Sequence, residues 1–132
     1  LPNIAFSVAL DPPGKVLYAT AGVGVGLIYA FSSNASTGAL TPIAGSPFGA
    51  VLTACSSTVD PLDRFVFTAN SVGSLGSVST FSKALDGSLV QISGSPVRAG
   101  ESPCDVTVDP SGRFVYVANV NSANVSGYSI AP

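Results

Sequence analysis

The sequence predicts an all-β protein, a partial β-propeller of about three four-stranded antiparallel blades whose last blade lacks its outer strand. Two observations carry that expectation. Asp-Pro recurs at Asp11-Pro12, Asp60-Pro61 and Asp109-Pro110, 49 residues apart each time. A fixed period of this length marks a repeat architecture in which each unit covers its neighbour. Within each copy, short runs of β-branched and aromatic residues alternate with small polar ones between turn signals, and no segment shows a helical apolar period.

The duplication is strongest between the second and third copies. Residues 50–70 set against 99–119 share eleven identities in 21 positions, among them Cys55/Cys104, Thr58/Thr107, Val59/Val108, Arg64/Arg113, Phe65/Phe114, Val66/Val115 and Asn70/Asn119. Gly-Ser-Pro keeps the same spacing, at Gly45-Ser46-Pro47 and Gly94-Ser95-Pro96. The first copy is more diverged, retaining Val8, Asp11, Pro12, Gly14 and Tyr18 against the third. These copies divide one continuous segment into blades at residues 1–49, 50–98 and 99–132, the third incomplete.

The strands follow from the turns. In the third copy they are expected at residues 105–109, 113–119 and 124–130. The outer strand has its counterpart in the second copy at residues 89–93, after the hairpin signal Leu85-Asp86-Gly87-Ser88, where Asp-Gly suits positive φ. Asp109-Pro110-Ser111-Gly112 has the residue order of a type I turn between the first two strands of a blade. Asp11-Pro12-Pro13-Gly14 repeats it, and Asp60-Pro61-Leu62-Asp63 lacks the glycine. Turn capping explains the three aspartates better than a shared metal site. The aromatic positions Tyr18, Phe67 and Tyr116, and likewise Phe31, Phe81 and Tyr128, recur once per copy and are expected to pack between blades. The glycine-rich run from Ala21 to Gly26 leads into a strand. Without a helix N-terminus to hold phosphate, it is read as a hairpin connection.

At Asp109-Pro110-Ser111-Gly112-Arg113-Phe114-Val115-Tyr116-Val117-Ala118-Asn119 the chain resembles the signature of the YVTN repeat and of lactonase-like seven-bladed propellers. Gly-Ser-Pro after a short strand, and Thr37-Gly38-Ala39-Leu40 or Asp86-Gly87-Ser88-Leu89 before it, resemble the rest of that blade. The resemblance covers essentially the whole chain and implies the fold; it says little of activity, because every blade carries these motifs. It implies kinship both with enzymes of the 6-phosphogluconolactonase and muconate lactonizing types and with secreted and surface proteins. The chain departs from the enzymes in having no His, one Glu (Glu101), and Arg only at Arg64, Arg98 and Arg113. Lactone chemistry needs a general base or a polarising cluster. No residue is therefore assigned a catalytic, cofactor-binding or metal-binding role. Arg64 and Arg113, with Lys15 in the first copy, share one repeat position and are read as part of the blade scaffold. Arg98 and Glu101 are placed in the connection between the second and third blades and read as solvated.

Cys55 and Cys104 occupy one position on neighbouring blades, just before the innermost strand, where the first copy has Phe6. Equivalent points on adjacent blades usually exceed the roughly 7 Å Cα separation that a disulfide tolerates, so buried free thiols are the favoured reading, with an intrachain disulfide as the alternative. A metal site would lack ligands.

Charged residues make up 9% of the chain and the formal net charge is -2. No basic stripe is present to track phosphates, which argues against nucleic acid. The apolar runs are too short and broken to insert in a membrane as a helix. Polarity comes from Ser, Thr, Asn and Gly, a composition read as extracellular or cell-surface, with the periplasm included. Asn34 and Asn124 begin Asn-x-Ser patterns that chance readily produces in such a chain. Beginning at Leu1, the sequence is either processed or part of a longer polypeptide.

Blades are apolar on both faces, so fewer than three must leave two faces to be covered. The expected function is therefore a non-catalytic secreted or surface module acting in assembly or binding. Completion would come by self-association, as a ring or an open filament, or by further blades. The alternative is a fragment of a lactonase-like hydrolase whose catalytic residues lie outside this chain. If anything binds, the expected places are the inter-blade connections on one rim and the mouth of the central channel, where Ser7, Ser56 and Asp105 share a repeat position.

Overall fold

The computed structural model describes residues 4–72 and 74–131. Residues 1–3, 73 and 132, which fall in the three expected blades, lie outside the described residues. The first sheet contains β1 (Ala5–Leu10), β2 (Val16–Ala21), β3 (Gly26–Ser33), β4 (Leu40–Pro42) and β5 (Phe48–Val51). The second contains β6 (Ala54–Val59), β7 (Phe65–Val72), β8 (Leu75–Lys83), β9 (Leu89–Gln91) and β10 (Val97–Ala99). The third contains β11 (Pro103–Val108), β12 (Phe114–Asn119) and β13 (Asn124–Ser129). Every pairing is antiparallel, in the order of an up-and-down blade. Among the described residues there is no helix long and apolar enough to cross a membrane.

β4 and β5 are two halves of one outer position. β4 pairs with the end of β3, Phe31 to Ser33, while β5 places Phe48 opposite Ile28 and Val51 opposite Gly26. β9 and β10 divide the edge of β8 in the same way. The outer strand expected at residues 89–93 thus ends at Gln91 and resumes at Val97. Gly-Ser-Pro makes the break: Gly45 and Gly94 have φ of 85° and 82°, and proline has no N–H to donate to a ladder. The serine restores one bond. Ala30 N donates to Ser46 Oγ at 2.9 Å and Thr80 N to Ser95 Oγ at 2.8 Å.

The three Asp-Pro turns close as type I geometry requires, with Gly14 N, Asp63 N and Gly112 N donating to the carbonyls of Asp11, Asp60 and Asp109. Each carboxylate then collects amides of the following strand. Asp11 Oδ1 accepts from Lys15 N and Val16 N, and Asp109 Oδ1 from Arg113 N and Phe114 N. Asp63 stands where the other copies have glycine and adopts φ of 61°, a left-handed conformation that Asp tolerates better than most residues. Strand limits shift slightly from those expected. β11 begins at Pro103, Arg113 belongs to the turn before β12, and β13 ends at Ser129.

The hydrophobic core is two layers, each between adjacent blades. One joins Val16, Tyr18, Ile28 and Ala30 of the first sheet to Ala54, Val59, Val66, Phe81 and Leu89 of the second. The other joins Phe67, Ala69 and Val78 to Val106, Val115 and Val117 of the third. Burial of each large side chain here is worth about 1.5–3 kcal/mol, which makes the inter-blade layers the main source of stability. The recurring aromatics divide according to whether a neighbour covers them. Tyr18 is 0% exposed and Phe67 4%, but Tyr116 is 43%. Phe31 is half-buried. On the far face of the first sheet Val8 and Leu10 are exposed, and on the far face of the third so is Val125.

Ionic contacts lock the turns together. Lys83 Nζ lies 3.4 Å from Asp11 of the first blade and 3.0 Å from Asp63 of its own. Arg64 Nε pairs with Asp60 Oδ2 at 2.6 Å, and its NH2 donates to the Gly112 carbonyl of the third blade at 2.9 Å.

Candidate functional site

The innermost strands β1, β6 and β11 lie next to one another and wall the channel side of the blades. Each opens with an irregularity: the register shifts between Ala5 and Ser7, Ala54 and Ser56, and Pro103 and Asp105. The extra residue is Phe6, Cys55 or Cys104. A β-bulge re-aims the side chains beside it, and here the next residue is Ser7, Ser56 or Asp105. Ser56 Oγ donates to Asp105 Oδ1 at 2.9 Å, and Ser57 N donates to Ser7 Oγ at 3.4 Å. Of the three residues expected at the channel mouth, Ser56 and Asp105 are thus bonded directly across two blades, and Ser7 reaches the second blade at the backbone of Ser57, making one arc.

Asp105 Oδ1 also accepts from Val106 N at 3.0 Å, and among the described residues Oδ2 has no protein partner. The residue is exposed while Ser56 is buried, so the arc offers solvent a carboxyl acceptor braced from behind. This is hydrogen-bonding chemistry suited to hydroxyl donors.

Behind the arc lies a polar network for which sequence reasoning assigned no role. Asn70 Nδ2 donates to Ser77 Oγ at 3.1 Å and Ser79 Oγ at 2.8 Å, while Thr68 Oγ1 donates to Asn70 Oδ1 at 2.9 Å. Its counterpart Asn119 bonds Asn124 Oδ1 and Ser126 Oγ at 3.0 and 2.8 Å. Each Asn closes β7 to β8 or β12 to β13 where the inner strand begins. The signal was present as the Asn70/Asn119 identity followed by spaced small polar residues. Among the described residues, Asn119 Oδ1 and Ser57 Oγ are buried without a protein partner.

The remaining candidates disperse. Arg98 lies on β10, not in the connection where it was expected, and Glu101 is exposed beyond it with its amide bonded to Ser122 Oγ at 2.7 Å. Among the described residues they form no ion pair with each other. Asp11, Asp60 and Asp109 sit in their separate turns, and no group of three His, Cys, Asp or Glu side chains able to hold a metal occurs among the described residues. The glycine-rich run is the β2–β3 hairpin, with Gly22 and Gly24 at φ of 108° and 85° and Gly24 N bonded to Thr53 Oγ1. Cys55 and Cys104 are free, but they are the bulge residues of their strands and not buried as expected: Cys104 is exposed and Cys55 half-buried. Bulging turns their side chains out of the regular alternation. Burial, and secondarily the nearby Cys104, push the Cys55 thiol pKa up.

A family model described as a lactonase, seven-bladed β-propeller, matches residues 28–132. Among curated proteins no sequence matches the chain. The periplasmic gluconolactonase PpgL of Pseudomonas aeruginosa superposes with a TM-score of 0.77 at 19% identity, over 96% of this chain and 39% of that one. A candidate 6-phosphogluconolactonase of Bacteroides uniformis gives 0.78 at 18%, over 98% and 37%. A chain of a nidogen/laminin complex gives 0.60 at 18%, over 96% and 44%. The chain therefore spans less than half the length of each of these structures. At such identities the likeness speaks for the fold, and the fold serves both catalysis and binding.

Proposed function

The chain belongs to the lactonase family of seven-bladed β-propellers, and from that premise we propose that it forms just under three blades of a ring that opens a sugar lactone. The observation that carries this reading is the pairing of the family match over residues 28–132 with the coverage of PpgL. That coverage, 39%, is close to the share that fewer than three blades of seven would occupy. In this reading Ser7, Ser56 and Asp105 form one sector of the channel-facing wall and hold substrate hydroxyls. The general base and the groups that stabilise the oxyanion come from other blades. The periplasmic location of PpgL, with the low-charge, Ser- and Asn-rich composition here, supports an extracytoplasmic site of action.

The test is lactone opening by the complete ring, its closure first established from its mass in solution. Acid release from glucono-δ-lactone and from its 6-phosphate is expected to exceed spontaneous hydrolysis, and Asp105→Asn is expected to raise KM. A closed ring that accelerates neither would refute the lactonase reading. The absence of His and the single Glu favour a second reading, a non-catalytic secreted or surface module completed by self-association or by further blades. That reading requires a closed, inactive ring or a self-associated particle.

A further inference from the structure

Cys55 and Cys104 stand at one repeat position, 49 residues apart, near the start of the innermost strands β6 and β11. Each is the extra residue of a β-bulge, set between Ala54 and Ser56 in one strand and between Pro103 and Asp105 in the other. The two strands are neighbours across the boundary of the second and third blades, with Cα atoms within 8 Å of each other. The residues that follow the cysteines are already joined, Ser56 Oγ donating to Asp105 Oδ1 at 2.9 Å. Serine and aspartate linked in this way have Cα atoms no more than about 9 Å apart. A disulfide spans up to about 7 Å between Cα atoms, so at this point the strands need approach by only about 2 Å.

Bulge residues are suited to supply that movement, because the extra residue stands outside the ladder of paired bonds. The Cys55 thiol is held loosely. It is a weak donor and reaches Thr53 O at 3.9 Å. Burial first, and the nearby Cys104 second, raise its pKa, so the two thiols lie within electrostatic reach of each other. Their exposure differs in a useful way: Cys104 is open to a reagent, while Cys55 is half-buried beside it. Among the described residues no third His, Cys, Asp or Glu completes a metal-holding group with them, and the chemistry left to the pair is that of thiols.

We propose that Cys55 and Cys104 form a reversible disulfide clasp between the second and third blades, closed by a small-molecule disulfide such as oxidised glutathione and opened by the corresponding thiol. Cys104 thiolate attacks one sulfur of the small disulfide, giving a mixed disulfide and releasing one thiol. Cys55 thiolate then attacks Cys104 Sγ, forming the protein disulfide and releasing the second thiol. Two protein thiols are oxidised, the S–S bond of the reagent is reduced, and the two protein S–H protons end on the released thiols. Closure draws β11 toward β6 one residue from the bond between Ser56 and Asp105, and so tightens the bracing of the Asp105 carboxyl and its hold on Val106 N, which donates to it at 3.0 Å. Redox state thereby sets how rigidly the channel-facing carboxyl is held. A link that asks two strands to shift stores strain and is for that reason easily reduced.

The test is reaction of the reduced protein with an excess of an aromatic disulfide whose released thiol absorbs light, followed by mass spectrometry of the product. Raising the reagent about tenfold should speed the fast phase about tenfold and leave the slow phase unchanged, because Cys55 closes on Cys104 within one chain. The product should carry no reagent, weigh two hydrogens less than the reduced protein, and yield a peptide in which Cys55 and Cys104 of one chain are linked. Oxidised glutathione should give the same product more slowly, and a small thiol should reverse it. Amide exchange at Val106 should slow at least about threefold on closure and recover on reduction. Cys104→Ser should leave a single reactive thiol that keeps the reagent and whose rate scales with reagent concentration. A slow phase of the native protein that scales with reagent, a product carrying two reagent groups, or a link found only between two chains would overturn the proposal. Unchanged exchange at Val106 would overturn the effect on the Asp105 carboxyl. Lactone hydrolysis is not read in this experiment, so its outcome is independent of the catalytic reading.

Discussion

Lys83 of the second blade and Asp11 of the first face each other across the inter-blade layer at 3.4 Å, with side chains 3% and 2% exposed. Asp63 completes the contact at 3.0 Å from the same ammonium. A charge buried this deeply is tolerable only while paired, and removing one partner strands the other. Lys83→Met is expected to destabilise the fold by about 3–5 kcal/mol, read as a lower denaturant midpoint. A loss below about 1 kcal/mol would mean that water reaches Asp11 when the lysine is gone.

Gly76 is enforced by backbone proximity. A Cβ at this position would stand 1.9 Å from Gly100 O and 2.6 Å from Pro103 Cδ, atoms of the connection into the third blade that no rotamer change can move. Gly76→Ala should cost about 1–3 kcal/mol, as overpacking of a tight site does. Because it displaces residues 100–103, it should also speed amide exchange in β11 more than in β1.

Asp109 carries the clearest pH dependence. The Ser111 hydroxyl, and then the amides of Phe114, Arg113 and Ser111, hold its carboxyl down to about 2 from an ordinary 3.8. A carboxyl depressed on folding adds stability that is complete above the unfolded value and disappears as pH falls through the folded one. The contribution of Asp109 should therefore fade between about pH 4 and pH 2. A carboxyl NMR titration should place its midpoint near 2, and Asp109→Asn should flatten the acid limb of the stability curve in that window. A midpoint at the ordinary value would refute the capped geometry.

The two thiols should react in sequence. Cys104 is exposed, while Cys55 is half-buried and its pKa is raised by burial first and by Cys104 second. Thiolate is the reactive form, so a disulfide reagent at neutral pH should show two phases with rates about tenfold or more apart. Cys104→Ser should abolish the fast phase. A single phase of two equivalents would contradict the difference in environment.

Much of the blade was legible because its signals are local. Asp-Pro followed by a left-handed residue makes a turn wherever it stands, and the 49-residue spacing repeats it. The split outer strand was less legible. Residues 89–93 look like one strand, and only the bond from Thr80 N to Ser95 Oγ shows that Gly-Ser-Pro interrupts the edge and lets it resume at Val97. The channel arc was partly legible. Ser7, Ser56 and Asp105 shared a repeat position, but the bond from Ser56 to Asp105, the bond from Ser57 N to Ser7, and the Asn70 and Asn119 networks behind them involve partners on other strands.

By itself the sequence determined the all-β repeat, its period, its turns and its kinship with lactonase-like propellers, since each rests on residues close together in the chain or on their regular return. The tertiary structure decided which of the equivalent residues differ in fate. Tyr116 is exposed where Tyr18 is buried, and Lys83 finds Asp11 across a blade boundary. Residues that are identical in repeat position acquire different burial and charge partners from the neighbour that happens to cover them, and that neighbour is defined only in three dimensions.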